Sequence, residues 1–202
     1  AETGALATNL GNNIKYAGAL NITGIASNNE AAALTAYTTA KTGATTNTLT
    51  AADNNWSGTA TEVMAAVSAG VRFADALTIT NIASAFEGGF AGVFNTAFTG
   101  ATKNTLTAND GTWSITDANL TTYLSNGSFF AGALTVTSIA TDSETAALTA
   151  YTNTLTGATS VTLTASDTNW SVTGATLDTA LTAAVRLSGD LTVTGISTET
   201  NA

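Results

Sequence analysis

The chain predicts an α/β fold: a right-handed β/α solenoid of seven helix-strand units, with a parallel sheet on one face and helices on the other. Three observations predict it. The first is a repeat free of insertions. Leu20-Asn-Ile-Thr-Gly-Ile25, Leu77-Thr-Ile-Thr-Asn-Ile82, Leu134-Thr-Val-Thr-Ser-Ile139 and Leu191-Thr-Val-Thr-Gly-Ile196 each begin 57 residues after the last, and a fixed period of this length marks stacked architectures. The second is that these stretches alternate apolar and hydroxyl residues, as half-buried strands do. The third is that the period between them turns helical, and parallel strands joined through a helix cross over right-handed almost without exception.

The whole chain, residues 1 to 202, reads as one repeat domain of three and a half 57-residue double units. It opens with a helix carrying Leu6, Leu10, Ile14 and Tyr16, which sit 57 residues before Val63, Val67, Val71 and Phe73. The first strand type is the Leu-x-Ile/Val motif above. Ser27-x-x-Glu30, Ser84-x-x-Glu87 and Thr141-x-x-Glu144 follow it as capping boxes, opening a first helix type. Its apolar stripe is Leu34 and Tyr37, then Phe90, Phe94 and Phe98, then Leu148, Tyr151 and Leu155, and Gly43, Gly100 and Gly157 end it. The second strand type is Thr46-Asn-Thr-Leu-Thr-Ala51, Lys103-Asn-Thr-Leu-Thr-Ala108 and Ser160-Val-Thr-Leu-Thr-Ala165. A loop with Asp53, Asp110 or Asp167 and then Trp56, Trp113 or Trp170 leads to a second helix type. Its stripe is Val63, Val67 and Val71, then Leu120 and Leu124, then Leu177, Leu181 and Val185. In each strand Leu and Ile or Val should face the helices. A TIM barrel also alternates strands and helices, but it needs eight strands buried on both faces, and here the outward face is polar.

Composition bounds the function. Hydrophobic residues make up 44% of the chain, enough for a packed core, and charged residues 9%, against roughly a quarter in ordinary soluble domains. A net charge of −9 with five scattered Lys and Arg gives phosphate backbones nothing to bind. There is no Cys, His or Pro, so disulfides, thiol nucleophiles, imidazole bases and the usual zinc ligands are removed together. No residue group occurs once and breaks the repeat as a catalytic constellation would, and no enzymatic activity is expected. No apolar run approaches the roughly 18 residues that span a bilayer. The start Ala1-Glu2-Thr3-Gly4 fits a chain whose secretion signal has been removed, so an extracellular or cell-surface location is expected.

The Thr-rich strands and low-charge repeats resemble those of large secreted bacterial surface proteins: surface-layer, adhesin and extracellular-filament subunits. The unit order is similar to that of leucine-rich repeats without their Leu-x-x-Leu-x-Leu signature. The resemblance implies a structural or adhesive role at a cell surface.

Three features could carry binding chemistry. The outward strand face presents Thr48, Thr50, Thr78, Thr80, Thr105, Thr107, Thr135, Thr137, Thr162, Thr164, Thr192 and Thr194, preceded by Asn21 and Thr23. With strands about 4.8 Å apart and alternate residues about 6.6 Å apart, this predicts a flat grid of two ladders, either a solvated sheet face or an ice-binding surface. Trp56, Trp113 and Trp170 recur at one corner, either as plugs of the hydrophobic layer or as a column that stacks on sugars, as a glycan-binding adhesin would use. Asp53, Asp110 and Asp167, with Asn neighbours, are Ca²⁺ candidates whose alternative is an Asx turn; no other cofactor is implied. Asn21, Asn55, Asn119, Asn126 and Asn169 lie in Asn-x-Ser/Thr sequons.

Neither terminus reads as a capping repeat. Leu6 and Leu10 at one end, and Leu191, Val193 and Ile196 at the other, are expected to form a heterologous contact that does not close, which builds a filament or surface layer with the chain itself as partner. A segment of a longer array is the alternative reading of the same termini.

Overall fold

The computed structural model describes residues 3–87 and 93–196. The chain is α/β with parallel strands, and the described residues form nine α-helices and nine strands. They run in the order α1 (Thr3–Gly11), β1 (Ala19–Ile25), α2 (Glu30–Ala36), α3 (Thr39–Thr42), β2 (Thr46–Ala51), β3 (Asn55–Thr59), α4 (Ala60–Ser68), β4 (Val71–Phe73) and β5 (Ala76–Ile82). There follow α5 (Thr96–Thr99), β6 (Lys103–Thr116), α6 (Asp117–Ser125), β7 (Ser128–Ile139), α7 (Glu144–Ala150), α8 (Asn153–Thr156), β8 (Ser160–Thr173), α9 (Gly174–Thr182) and β9 (Val185–Thr194).

Among the described residues strands pair only in parallel, as β1-β2-β4 and as β3-β5-β6-β7-β8-β9. Nine strands stand where seven are predicted because β2 and β3 repeat, one period earlier, the two halves of the continuous β6, and β4 and β5 those of β7. The inward residues stack across the ladder. Leu77 lies between Trp56 and Asn104, Ile79 between Gly58 and Leu106, Leu134 between Trp113 and Val161, and Val136 between Ile115 and Leu163. All four Leu, Ile and Val side chains are buried. The extra residue of each Leu-x-Ile-x-x-Ile motif is absorbed as a bulge. Asn81 (φ 58) and Ser138 (φ 62) take the left-handed conformation there, and the register moves on to Ile82 opposite Ala108 and Ile139 opposite Ala165.

Two sequence expectations change. The first helix type is not continuous: a 3₁₀ turn (Ser27–Asn29) precedes α2, and the helix breaks at Tyr37 before α3. In two units the broken carbonyl finds a partner in the interior. The buried Asn47 side chain donates to the Tyr37 carbonyl, and Asn104 to that of Phe94 at 2.8 Å, while Thr42 and Thr99 hydroxyls donate to their amide oxygens. The third unit breaks in the same way at Tyr151 with Val161 in that place, so the amide satisfies the broken carbonyl and does not cause the break. Gly43, Gly100 and Gly157 then close the second segment at φ near 80°. The second helix type is shorter than its stripe suggests. Val71 and Phe73 belong to β4 and Val185 to β9, and at the start of the chain Ile14 lies beyond α1 and is 46% exposed. Phe90 lies outside the described residues.

The turns inside β6 and β8 are each backed by a glycine of the next strand, Gly132 and Gly189. A Cβ on Gly132 (φ 90) would stand 2.4 Å from the Gly111 carbonyl oxygen, whereas one on Gly24 (φ 72) meets nothing within 4 Å. Gly132→Ala is therefore expected to add steric overlap to the ordinary left-handed penalty of about 1 kcal/mol, a total of about 2–4 kcal/mol, and Gly24→Ala to cost about 1 kcal/mol alone. Urea midpoints of the two variants check this, and equal losses would count against the close approach.

Candidate functional site

The outward Thr face is real in orientation and different in layout from the predicted grid. Of the predicted face, Thr48, Thr50, Thr78, Thr80, Thr105, Thr107, Thr135, Thr137, Thr162 and Thr164 are half-buried, and Thr192 and Thr194 are exposed. The rows across the sheet are short, however. One runs Ser57, Thr78, Thr105, Phe129; the next runs Ser114, Thr135, Thr162, Arg186; the first runs Asn21, Thr48, Arg72. Each thus ends in a bulky residue from the strand segment that follows the second helix type. In the first and third units the apolar spacing runs through Val71 and Val185 as a helical stripe, which hides the interruption. Arg72 donates to the Val67 and Val71 carbonyls at 3.0 and 2.7 Å, Arg186 to those of Leu181 and Val185, and the Lys103 ammonium lies 4.3 Å from the Phe129 ring centre. Basic side chains here close helix C-termini or cover a ring, where the carbonyl dipoles favour a cation. The second ladder is interrupted too: Thr107 opposes Ala131 and Thr164 opposes Ser188, while Thr80, Thr137 and Thr194 oppose Thr59, Thr116 and Thr173.

The tryptophans face inward. Trp56, Trp113 and Trp170 are at most 1% exposed, so no ring face is offered to a sugar, which corrects the stacking-column reading. Trp56 and Trp113 meet Phe73 and Phe130 edge to face at 5.3 and 5.1 Å, and the Trp170 indole N–H donates to the Ser188 carbonyl at 3.2 Å. Each plugs the layer beside the long strand's turn.

Asp53, Asp110 and Asp167 shape that turn. One oxygen of each accepts the amide of Asn55, Thr112 or Asn169, an Asx turn, and the other accepts the hydroxyl of Ser27, Ser84 or Thr141. Both oxygens of each candidate Ca²⁺ carboxylate thus already hold protein donors, and among the described residues no three Asp or Glu gather as a metal site.

These bonds also overturn the three predicted capping boxes. Ser27 reaches across to Asp53 rather than capping its own helix, and Glu30 accepts the Ser57 amide of the neighbouring strand at 2.8 Å. Glu87 and Glu144 do the same for Ser114 and Ser171, also at 2.8 Å. The reciprocal box that forms is Thr59 with Glu62 at the start of α4. The three glutamates are at least 96% buried, and each keeps one oxygen without a partner. Sequence reading did not assign them this clamp role, although their strict recurrence was its signal.

The predicted assembly residues divide. Leu6 is fully buried in the core, so it is removed from the proposed contact surface, and Leu10 is half-buried. At the other end Leu191 is 44% and Ile196 69% exposed, whereas Leu77, Leu134, Ile82 and Ile139 are no more than 1% exposed. Val193 is half-buried. Among the described residues, no strand pairs with the outer edge of β9 or with the upstream edge of β1. Beside β1, Gly24, Ile25, Ala33 and Tyr37 line a groove of about 390 Å³.

No protein-family model, curated protein or solved structure matches the chain.

Burial pushes the Glu30 and Glu87 carboxyls above their ordinary value, opposed by the Ser57 and Ser114 amides and reinforced by the negative Asp53 and Asp110. A carboxyl raised in the folded state stabilises the fold fully below its unfolded value, and that contribution is lost as pH rises through the folded one. Glu30→Gln/Glu87→Gln is therefore expected to gain stability relative to the parent as pH is raised from about 3 to about 8. Asp53 and Asp110, whose carboxyls are lowered mainly by the Ser27 and Ser84 hydroxyls, are common to both chains. Urea midpoints across that range check this, and a difference independent of pH would contradict it.

Proposed function

We propose that the chain is an extracellular structural protein, a right-handed β/α solenoid that assembles head to tail into a filament or surface layer and has no catalytic role. The observation that carries this reading is the edge of β9. Leu191 is 44% exposed there, on a strand whose internal counterparts Leu77 and Leu134 are 1% exposed because a neighbouring strand covers them. An open strand edge with an apolar inner face is a template for another strand. Parallel pairing of successive repeats supports the solenoid, since a stack of this kind extends along one axis and joins unlike surfaces, which do not close. The low charge, the Thr-rich strands and the similarity to secreted surface repeats support the location and the role.

Negative-stain microscopy of the purified chain tests this. Fibres or sheets are expected, and small monodisperse particles at every concentration would count against it. Leu191→Lys/Val193→Lys is expected to raise the concentration needed for assembly by at least about tenfold, equivalent to about 1.4 kcal/mol at the joint. An unchanged threshold would show that the joint lies elsewhere.

A further inference from the structure

One position of the repeat unit departs from its copies, and the sheet is divided at that place. Gly18, Asp75, Gly132 and Gly189 recur every 57 residues. The three glycines take the left-handed conformation, at φ 82°, 90° and 107°, and Asp75 does not. Its neighbours are ordinary for the position: Phe73-Ala-Asp-Ala-Leu77 differs from Phe130-Ala-Gly-Ala-Leu134 in the central residue alone.

Where glycine stands, the ladder resumes directly across the turn. Thr107 pairs with Ala131 before the turn and Thr112 with Ala133 after it, and Thr164 with Ser188 and Asn169 with Asp190 repeat the arrangement. In the first unit the last pair before the turn is Leu49 with Phe73 and the first after it is Asn55 with Ala76. Among the described residues no pair joins Thr50 to Ala74, and the sheet divides there into β1-β2-β4 and β3-β5-β6-β7-β8-β9.

The opposing turn does not explain the division. Asp53, Asp110 and Asp167 form the same Asx turn, each followed by a left-handed residue, Asn54, Gly111 or Thr168. The third turn lies within the unbroken β8 although Thr168 carries a side chain. Space at the facing position does explain it. A Cβ on Gly132 would stand 2.4 Å from the Gly111 carbonyl oxygen, and one on Gly189 2.3 Å from that of Thr168. A residue with a Cβ cannot approach the turn so closely, and the left-handed conformation is disfavoured for it. Asp75 also keeps one carboxylate oxygen buried without a partner, a cost that its glycine copies do not carry. Beyond this residue the common path returns: the Asp75 carbonyl accepts the Thr102 amide at 3.1 Å, as that of Gly132 accepts Thr159 at 2.8 Å.

We infer that Asp75 is a built-in break in the ladder, a hinge at which the three-stranded sheet opens locally from the six-stranded one. Side chains tie the two sheets across it: the Glu30 carboxylate accepts the Ser57 amide, the Ser27 hydroxyl donates to Asp53, and Trp56 meets Phe73 edge to face. The hinge is a property of the single chain and stands apart from the assembly reading.

Hydrogen exchange of the parent, Asp75→Gly and Asp75→Ala tests it. In the parent, protection factors over residues 51–55 and 74–76 are expected to be at least about tenfold below those over 108–112 and 131–133, because local opening exposes amides without global unfolding. Asp75→Gly is expected to raise them to the level of the second unit. Asp75→Ala removes the carboxylate and keeps the Cβ, so it is expected to leave them low. Equal protection of the two places in the parent, no gain from glycine, or the same gain from alanine as from glycine would overturn the inference.

Discussion

The inward column of the parallel ladder is the constraint on which the rest depends. Leu77, Ile79, Leu134 and Val136 each lie between inward residues of two neighbouring strands, and they share one core with helix residues such as Val63, Leu120 and Leu148. Side chains alternate strictly along a strand, so a slip of one residue would move the whole apolar set to the outer face and bring Thr inside. The bulges at Asn81 and Ser138 are tolerated because the slip occurs after the second inward residue and is complete by Ile82 and Ile139. The left-handed turn spends the extra residue outside the core.

Polar groups lock this stack rather than opening it. The Glu30, Glu87 and Glu144 carboxylates accept amides on the next strand, and the Asp53, Asp110 and Asp167 side chains tie the turn of the long strand to the corner before the helix. Both sets join units separated by about half a period, so each unit is held through its successor. A buried carboxylate with one oxygen unpartnered carries a desolvation penalty, and its threefold recurrence shows that the clamp geometry is part of the unit. The copies are not identical inside. Asn47 and Asn104 satisfy the carbonyl at the helix break in two units, and Val161 fills that place in the third, which breaks at Tyr151 all the same. Tyr151 donates to Asp117, where the other units have Ala60 and Gly174, and burial with that carboxylate pushes its hydroxyl to about 12.

What was legible along the chain was what depends on period alone. The inward and outward sets of each strand, the glycines that end the broken helix, and the parallel α/β class follow from spacing. What was not legible depends on which partner a group chooses. Ser27-x-x-Glu30 has the pattern of a capping box, but both side chains are equally able to bond across the ladder, and the neighbouring strand wins because its amide and the Asp53 carboxylate lie within reach. The apolar spacing of four ran from Val63 through Val67 to Val71, past Gly70, so the strand starting at Val71 was read as helix. The same spacing, continued to Val185, hides Arg72 and Arg186 at the row ends.

The sequence by itself determined the period, the chemistry available and the alternation that selects each strand's buried face, because these are properties of residue type and spacing. Only the tertiary structure decided that the Trp rings are sealed, that Leu6 is core while Leu191 is open, and that the Thr rows are interrupted. These outcomes depend on which segments become neighbours and in what register, and repeated segments offer several pairings of similar local chemistry. Packing of the inward column selects among them, since it alone distinguishes an Ala from a Leu opposite the residue after each bulge.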